Sequence, residues 1–142
     1  MPRVNLSISQ ELYDQIKKAA DDNFLSVNNM IVNELEKAFS VGNVYDYSYA
    51  MESLIKESED MKAEFTLSDL PTFKNVDRII IEYGIKESAA SVRARLGKIY
   101  NEAIRNGLIK GIDRAIVNKD GEMEAKFLSR AAVYVKKIDD AR

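Results

Sequence analysis

The 142-residue sequence contains no cysteine, histidine or tryptophan, and only two prolines. Without thiols and imidazoles it cannot form disulfides, Ser–His or Cys–His catalytic pairs, or the usual zinc, haem and iron–sulfur ligand sets. No apolar run approaches the ~20 residues of a membrane span, and residues 1–5 lack the apolar segment of a secretory signal. These absences predict a cytoplasmic protein that has no enzymatic activity, metal or cofactor and does not contact membranes.

Charge is unevenly distributed along the chain, although the net charge is only −2. Residues 1–40 carry 4 basic and 6 acidic groups, residues 41–72 carry 2 and 7, and residues 73–142 carry 15 and 10. The window 86–119 alone holds 8 Lys or Arg against 3 Asp or Glu. A basic segment of this kind can bind phosphate within an acidic protein, although two solvated faces of unequal charge would give the same counts.

The first 39 residues predict a strand followed by two helices. Residues 3–9 alternate strictly between apolar and polar side chains, which is typical of a half-buried strand. Ser9 is a predicted N-cap for an amphipathic helix over 10–22, and Ser26 for a second helix. The predicted buried stripe of the second helix consists of Val27, Met30, Ile31, Leu35 and Ala38.

The strand over 3–9 has no obvious partner strand within its own part of the chain. Its backbone donors and acceptors nevertheless need pairing, and the simplest solution is the same strand of a second copy across a two-fold axis. The apolar faces of both helices would then close over the two-stranded ribbon. The pattern therefore predicts an intertwined homodimer.

These residues resemble the Arc/MetJ ribbon-helix-helix DNA-binding family, and its Arc-like members most closely. The similarity runs without gaps over residues 2–39, and it is carried by Pro2, Asn5, Leu6, Glu11, Asp14, Lys18, Ala20, Asn23, Ser26, Val27, Asn28, Ile31 and Phe39. In that family the paired strands enter the major groove of DNA. The resemblance therefore implies that Arg3, Asn5 and Ser7, on the polar face of the strand, read bases.

The resemblance also implies a phosphate clamp at the start of the second helix. It would use the backbone N–H groups of Val27 and Asn28 and the side chains of Ser26 and Asn28, because free N–H groups and the helix dipole favour an anion there. A domain that dimerises in the same way without binding DNA is the alternative.

Three positions depart from the family pattern. Phe24 replaces the glycine that usually follows Asn23, so either Asn23 takes the left-handed conformation or the turn differs. Ser7 is shorter than the basic residue common at that position. Leu25, Met30 and Glu34 stand where Arc-like proteins have a buried Arg–Glu–Arg triad. In Arc, apolar residues can replace this triad without loss of DNA binding.

The rest of the chain divides into an acidic helical linker over 41–63 and a basic α+β domain over 64–142. Tyr45, Tyr47 and Tyr49 are expected to pack between the two domains, with base stacking as an alternative. Residues 76–83 are predicted as a helix, with a buried strand as the alternative. Ser88 or Ser91 is a predicted cap for a long helix over 91–106 that ends at Asn106-Gly107, and its predicted apolar face is Val92, Leu96, Ile99, Tyr100, Ala103 and Ile104. This long helix, the opening segment over 65–70 and a hairpin at Asp120-Gly121 resemble a winged helix. The opening Phe65-Thr66-Leu67-Ser68-Asp69-Leu70 and the segment 107–111 are also similar to a family of small uncharacterised bacterial domains.

Basic residues on the long helix and around the hairpin form a predicted second DNA contact, with an ordinary solvated face as an equal alternative. They are Arg93, Arg95, Lys98, Arg105, Lys110, Arg114 and Lys119. The overall expectation is a mainly α protein with short β-strands. It would have a ribbon-helix-helix domain over 1–40 and a winged-helix-like domain over 64–142.

The predicted function is that of a DNA-binding transcriptional regulator, a repressor that binds double-stranded DNA as a dimer or a dimer of dimers. One alternative is an antitoxin that binds its promoter through the N-terminal domain and a partner protein through the C-terminal domain. Another is a protein that organises or segregates plasmid or phage DNA.

Overall fold

The computed structural model describes residues 2–39 and 43–137, which fold into α-helices with short antiparallel strands. The predicted mixture of α with short β is confirmed. The helices are α1 (Gln10–Asp22), α2 (Val27–Phe39), α3 (Tyr47–Glu59), α4 (Pro71–Lys74), α5 (Val76–Tyr83) and α6 (Ala89–Arg105), with a 3-10 turn at Leu67–Asp69. The strands are β1 (Ile112–Arg114), β2 (Ile116–Lys119), β3 (Glu122–Ala125), β4 (Phe127–Leu128), β5 (Ala131–Ala132) and β6 (Tyr134–Lys136). No helix in these ranges is long and apolar enough to cross a membrane.

Predicted capping residues begin and end two of the main helices. The Ser9 Oγ accepts the N–H of Leu12 at 3.1 Å at the start of α1. The Ser88 Oγ accepts the N–H of Ser91 at 3.1 Å at the start of α6, which decides between the two serines considered for that cap. Gly107 follows the end of α6 with φ +74°, as a C-terminal glycine should.

The turn between α1 and α2 places its left-handed residue at Phe24. Asn23 has φ −105° and Phe24 has φ +59°, so of the two predicted alternatives the structure shows the different turn, in which Asn23 is not left-handed. The N–H of Leu25 binds the carbonyl of Ala20 at 2.8 Å, the six-to-one bond of a Schellman motif. Phe24 packs against the core and Leu25 is buried, and these contacts offset the strain of a left-handed aromatic residue.

The hydrophobic core lies mainly between α3 and α6. Met51 and Leu54 of α3 and Leu96 and Tyr100 of α6 are fully buried there, and Leu25 from the turn before α2 joins the same cluster. All six apolar positions predicted for the long helix are buried, namely Val92, Leu96, Ile99, Tyr100, Ala103 and Ile104. The region predicted as a linker therefore supplies a core helix, while residues 40–42 and 138–142 of the predicted boundaries lie outside the described residues.

The C-terminal strands form three antiparallel pairs around one junction. β1 pairs with β6, β2 with β3, and β4 with β5. At the junction the Ala115 N–H binds the Val133 carbonyl at 2.9 Å, the Lys126 N–H binds the Ala115 carbonyl at 2.8 Å, and the Val133 N–H binds the Lys126 carbonyl at 3.1 Å. The β1–β6 pair is tied to the segment before the 3-10 turn, because Phe65 bridges Tyr134 of β6 through two backbone hydrogen bonds, of 2.9 and 2.8 Å.

Two tight turns close the outer strand pairs. The predicted hairpin at Asp120-Gly121 is confirmed, and both residues have positive φ, 53° and 85°. A second turn at Ser129 and Arg130 has φ values of 51° and 69° without any glycine. Whether these helices and hairpins form a winged helix in the functional sense stays a prediction.

Candidate nucleic-acid and dimer interface

Residues 2–9 extend away from the folded body of the single chain and carry no strand assignment. Val4 is 76% exposed, Leu6 62% and Ile8 39%. The alternate side chains of Arg3, Asn5 and Ser7 are exposed as well. A ladder needs a second strand, and none of the described residues supplies one to this segment. The predicted ribbon between two copies therefore stays a prediction.

An apolar groove continues from this segment along α1 and α2. It encloses about 350 Å³ and is lined by Leu12, Ile16 and Ala19 of α1 and by Met30, Ile31 and Leu35 of α2, together with two polar side chains. Leu12 is 46% exposed and Leu35 47%. The predicted stripe of α2 is therefore only partly covered within a single chain. Val27, Met30 and Ile31 are half-buried, and Met30 packs against the core, whereas Leu35 and Ala38 are exposed.

The opposite side of α2 is polar and packs toward α6. Asn29 donates to the Glu102 carboxylate at 3.3 Å, and Glu36 pairs with the Arg95 guanidinium at 2.9 Å. Asn33 lies between them on the same face, is 2% exposed, and its amide nitrogen has no hydrogen-bond acceptor among the described residues. A helix that buries its polar side within the chain and exposes its apolar side is expected to have another partner on the apolar side.

The start of α2, where a phosphate clamp is predicted, leaves two backbone N–H donors without an acceptor among the described residues. The Ser26 Oγ accepts the N–H of Asn29 at 3.1 Å, which satisfies one of the first donors of the helix. The N–H groups of Val27 and Asn28 have no acceptor among the residues that the structure describes, and Asn28 is exposed. Two free donors at a helix N-terminus favour an anion.

Two of the three tyrosines that precede and open α3 are buried. Tyr45 and Tyr47 are 5% and 1% exposed and pack edge to face at 5.0 Å, whereas Tyr49 is 70% exposed. Burial is the main cause that raises the pKa of Tyr45 to about 12. Burial and the hydrogen bond to Glu87 also raise the pKa of Tyr47. Of the three, therefore, Tyr49 alone is accessible to a nucleic-acid base.

Arg93 and Arg95 serve internal contacts rather than a free basic face. Arg93 donates to the carbonyls of Phe73 and Lys74 at 3.1 and 3.2 Å and to Asp77 at 2.9 Å. The Arg95 guanidinium lies 4.3 Å over the Tyr47 ring and pairs with Glu36, as described above. Carboxylates and backbone carbonyls of the same chain therefore already bind both arginines, and their predicted contact with DNA stays a prediction.

Of the other five residues in the predicted second DNA contact, Arg114 and Lys119 lie against side chains of the same chain, and three do not form ion pairs with described residues. Arg114 donates to Asn101 at 3.1 Å and lies 5.0 Å from the Phe127 ring, so it is also held within the chain. The exposed Lys119 side chain is 4.0 Å from Glu124 across its hairpin. The remaining three, Lys98, Arg105 and Lys110, are exposed and form no ion pair with another described residue.

A separate cavity of about 780 Å³ lies beside the start of α3 and is lined by Tyr45, Glu57 and Arg78 among others. Its Glu57 carboxylate accepts hydrogen bonds from both the N–H and the hydroxyl of Thr72, at 3.0 and 2.6 Å, so this side chain already has donors within the chain. Within residues 2–39 and 43–137 no group of three or more acidic side chains is placed to hold a metal ion.

Comparison with known proteins adds no family to this description. No protein-family model, no curated protein and no solved structure matches the chain. The functional argument therefore depends on the residues and their contacts.

Proposed function

We propose that this protein is a sequence-specific DNA-binding regulator that acts as a homodimer, with a two-stranded ribbon from residues 3–9 placed in the major groove. The orientation of α2 carries the proposal, because its polar side is packed inward and its apolar side, half-buried at Met30 and Ile31, is left exposed at Leu35 and Ala38. A second copy is the natural partner for that side, since its own apolar strand and groove are self-complementary across a two-fold axis. Pairing the two strands would also satisfy backbone groups that have no partner within one chain.

The ribbon formed in this way would present Arg3, Asn5 and Ser7 on its outer face. Arginine suits the O6 and N7 acceptors of guanine, asparagine suits the N6 and N7 groups of adenine, and serine can contact either. The free N–H groups of Val27 and Asn28 would bind phosphate and fix the position of the ribbon. Base contacts and backbone contacts thus come from different parts of the same domain, as specific binding requires.

DNase footprinting on the DNA upstream of the protein's own gene tests this proposal. A repressor is expected to protect a short region containing related half-sites, at protein concentrations where the dimer forms. Protection that spreads along the DNA as protein is added would support the DNA-organising alternative. Absence of any protected region with the dimeric protein would contradict the proposed function.

The antitoxin alternative is favoured by exposed apolar side chains on the C-terminal strands. Ile116, Met123, Phe127 and Leu128 are 57%, 66%, 60% and 62% exposed. Exposed apolar clusters suit a protein partner better than DNA. In this alternative the N-terminal dimer binds the promoter while the strands bind a second protein.

Salt dependence separates a C-terminal DNA contact from a C-terminal protein contact. Replacing Arg105 and Lys110 with glutamine should lower the slope of log K against log salt by about 0.9 for each DNA phosphate that these side chains neutralise. Lys56→Gln is the control, because this lysine is 71% exposed and lies on α3, outside the predicted DNA contact. An unchanged slope in the Arg105/Lys110 variant would favour the partner-protein alternative.

A further inference from the structure

A second cavity, separate from the proposed ribbon and clamp, lies between α6 and the β4–β5 hairpin. It encloses about 440 Å³, within the size range of small-molecule sites, which is roughly 300–1,000 Å³. Four basic side chains line it, Arg93, Lys98, Arg114 and Arg130, and none of its described lining residues is acidic. The chemical character of this cavity is therefore cationic.

Three of these four charges have no acidic counterpart. Arg93 pairs with Asp77, which is not among the lining residues. Lys98, Arg114 and Arg130 form no ion pair with a described residue. The like charges around this cavity repel each other. An anion bound between them would be attracted to each cation, and these attractions would offset the repulsion.

Arg114 is held in place rather than free to turn toward solvent. Its Nη1 donates to Asn101 at 3.1 Å, and its guanidinium carbon lies 5.0 Å from the Phe127 ring and 5.7 Å from the Tyr134 ring. Its Nε and Nη2 atoms are buried without a hydrogen-bond acceptor among the described residues. A positive charge fixed in this way raises the potential of the cavity at no further cost in side-chain ordering.

Two backbone features at the cavity are unfavourable for folding alone. Gly97 lines the cavity from within α6, where glycine weakens a helix, and a Cβ at this position would meet no atom within 4 Å. Arg130 takes φ +69° in a turn that has no glycine. The cavity thus has no side chain at Gly97, and the strained turn places the Arg130 cation among its lining residues.

From these observations we infer that the cavity binds a small, multiply charged anion of the phosphate or dicarboxylate class. Arginine and lysine bind both kinds of oxyanion through charge-assisted hydrogen bonds. The site is distinct from the phosphate clamp of α2 and does not depend on the proposed contact with DNA. It offers a DNA-binding protein a place at which a small metabolite could be sensed.

Isothermal titration calorimetry of the full chain with inorganic pyrophosphate, and separately with succinate at equal ionic strength, tests the inference. We expect saturable binding of at least one of the two anions, with one site per chain; the anion that binds more tightly identifies the class. Lys98→Gln and Gly97→Leu should each weaken that binding by about 10-fold or more, the first by removing charge and the second by filling the space. Lys56→Gln is the matched control and should bind as the unaltered chain does, because this lysine is 71% exposed on α3 and does not line the cavity.

Gly97→Leu should remain folded, since leucine is a better helix former than glycine and has open space at this position. Circular dichroism checks this, and Arg130→Gln replaces it if the variant unfolds. The inference is overturned if neither anion saturates, or if the cavity variants and Lys56→Gln bind alike. It is also overturned if a random-sequence DNA duplex displaces the anion, because the cavity would then belong to the DNA backbone. The outcome of the measurements made without DNA does not depend on whether the protein is the proposed DNA-binding regulator.

Discussion

Replacing Leu6 with aspartate should raise the dissociation constant of the dimer by at least about 100-fold. The Leu6 side chain is 62% exposed in a single chain, so the substitution gives a monomer no reason to unfold. In the proposed dimer the side chain lies beneath the ribbon in both copies, and each buried leucine contributes about 1.5–3 kcal/mol. The cost of burying two carboxylates would add to this effect. Sedimentation equilibrium over the micromolar range measures the change.

Asn5→Asp is the matched control for this experiment. It introduces the same carboxylate one residue away, on the face of the strand that the dimer leaves exposed, and should leave the dissociation constant within a few-fold of its original value. Equal dissociation of both variants would mean that charge near the N-terminus, rather than burial of Leu6, controls assembly. A folded monomer of the unaltered chain at micromolar concentration would contradict the dimer itself.

The features predicted correctly from sequence depend on a few neighbouring residues. Ser9 and Ser88 cap their helices because a serine side chain can reach a backbone N–H three residues ahead, which is a local geometry. Gly107 and the pair Asp120-Gly121 take positive φ because glycine, and to a lesser degree aspartate, tolerate it. The apolar face of α6 was predictable because its period matches a helix packed on one side.

The orientation of α2 could not be predicted in the same way. Its apolar stripe was predicted to close over the ribbon of a dimer, which a single chain does not test, and the contact of its other side with α6 was not predicted. In that contact Arg95 and Glu102 of α6 bind Glu36 and Asn29. The spacing of Asn29, Asn33 and Glu36 puts three polar side chains on one face, and this was the available signal of a second, polar contact surface.

The predicted second DNA contact shows a second limit of prediction from sequence, which concerns the partners of charged residues. A count of Lys and Arg in a window does not show which of them already have partners distant in sequence. Arg95 is held by Tyr47 and Glu36, and Arg114 by Asn101 and Phe127, at separations that no local pattern reveals. Arginine is well suited to such roles because its planar group can stack and form several hydrogen bonds together.

Specific DNA recognition should depend most strongly on Arg3. Arg3→Ala is expected to weaken binding to the protected sequence by about 1–3 kcal/mol for each base contact, and therefore by about 2–6 kcal/mol for a dimer with two copies. That corresponds to roughly 30-fold or more in affinity. Binding to random-sequence DNA depends on phosphate contacts and should change far less. The fold should be unaffected, because Arg3 is exposed and forms no ion pair with a described residue.

The measurement is the ratio of affinities for the protected sequence and for random DNA of the same length, at one salt concentration. Arg78→Ala provides the control, since it removes the same charged group from an exposed position on α5 and should leave the ratio unchanged. A fall in the ratio that is confined to Arg3→Ala would identify this side chain as a reader of sequence. If Arg3→Ala weakens binding to both DNAs equally, the arginine contacts phosphate and the bases must be read by Asn5 or Ser7. Because these three residues alternate on one face of the strand, the same assay applied to Asn5→Ala and Ser7→Ala would then locate the contact.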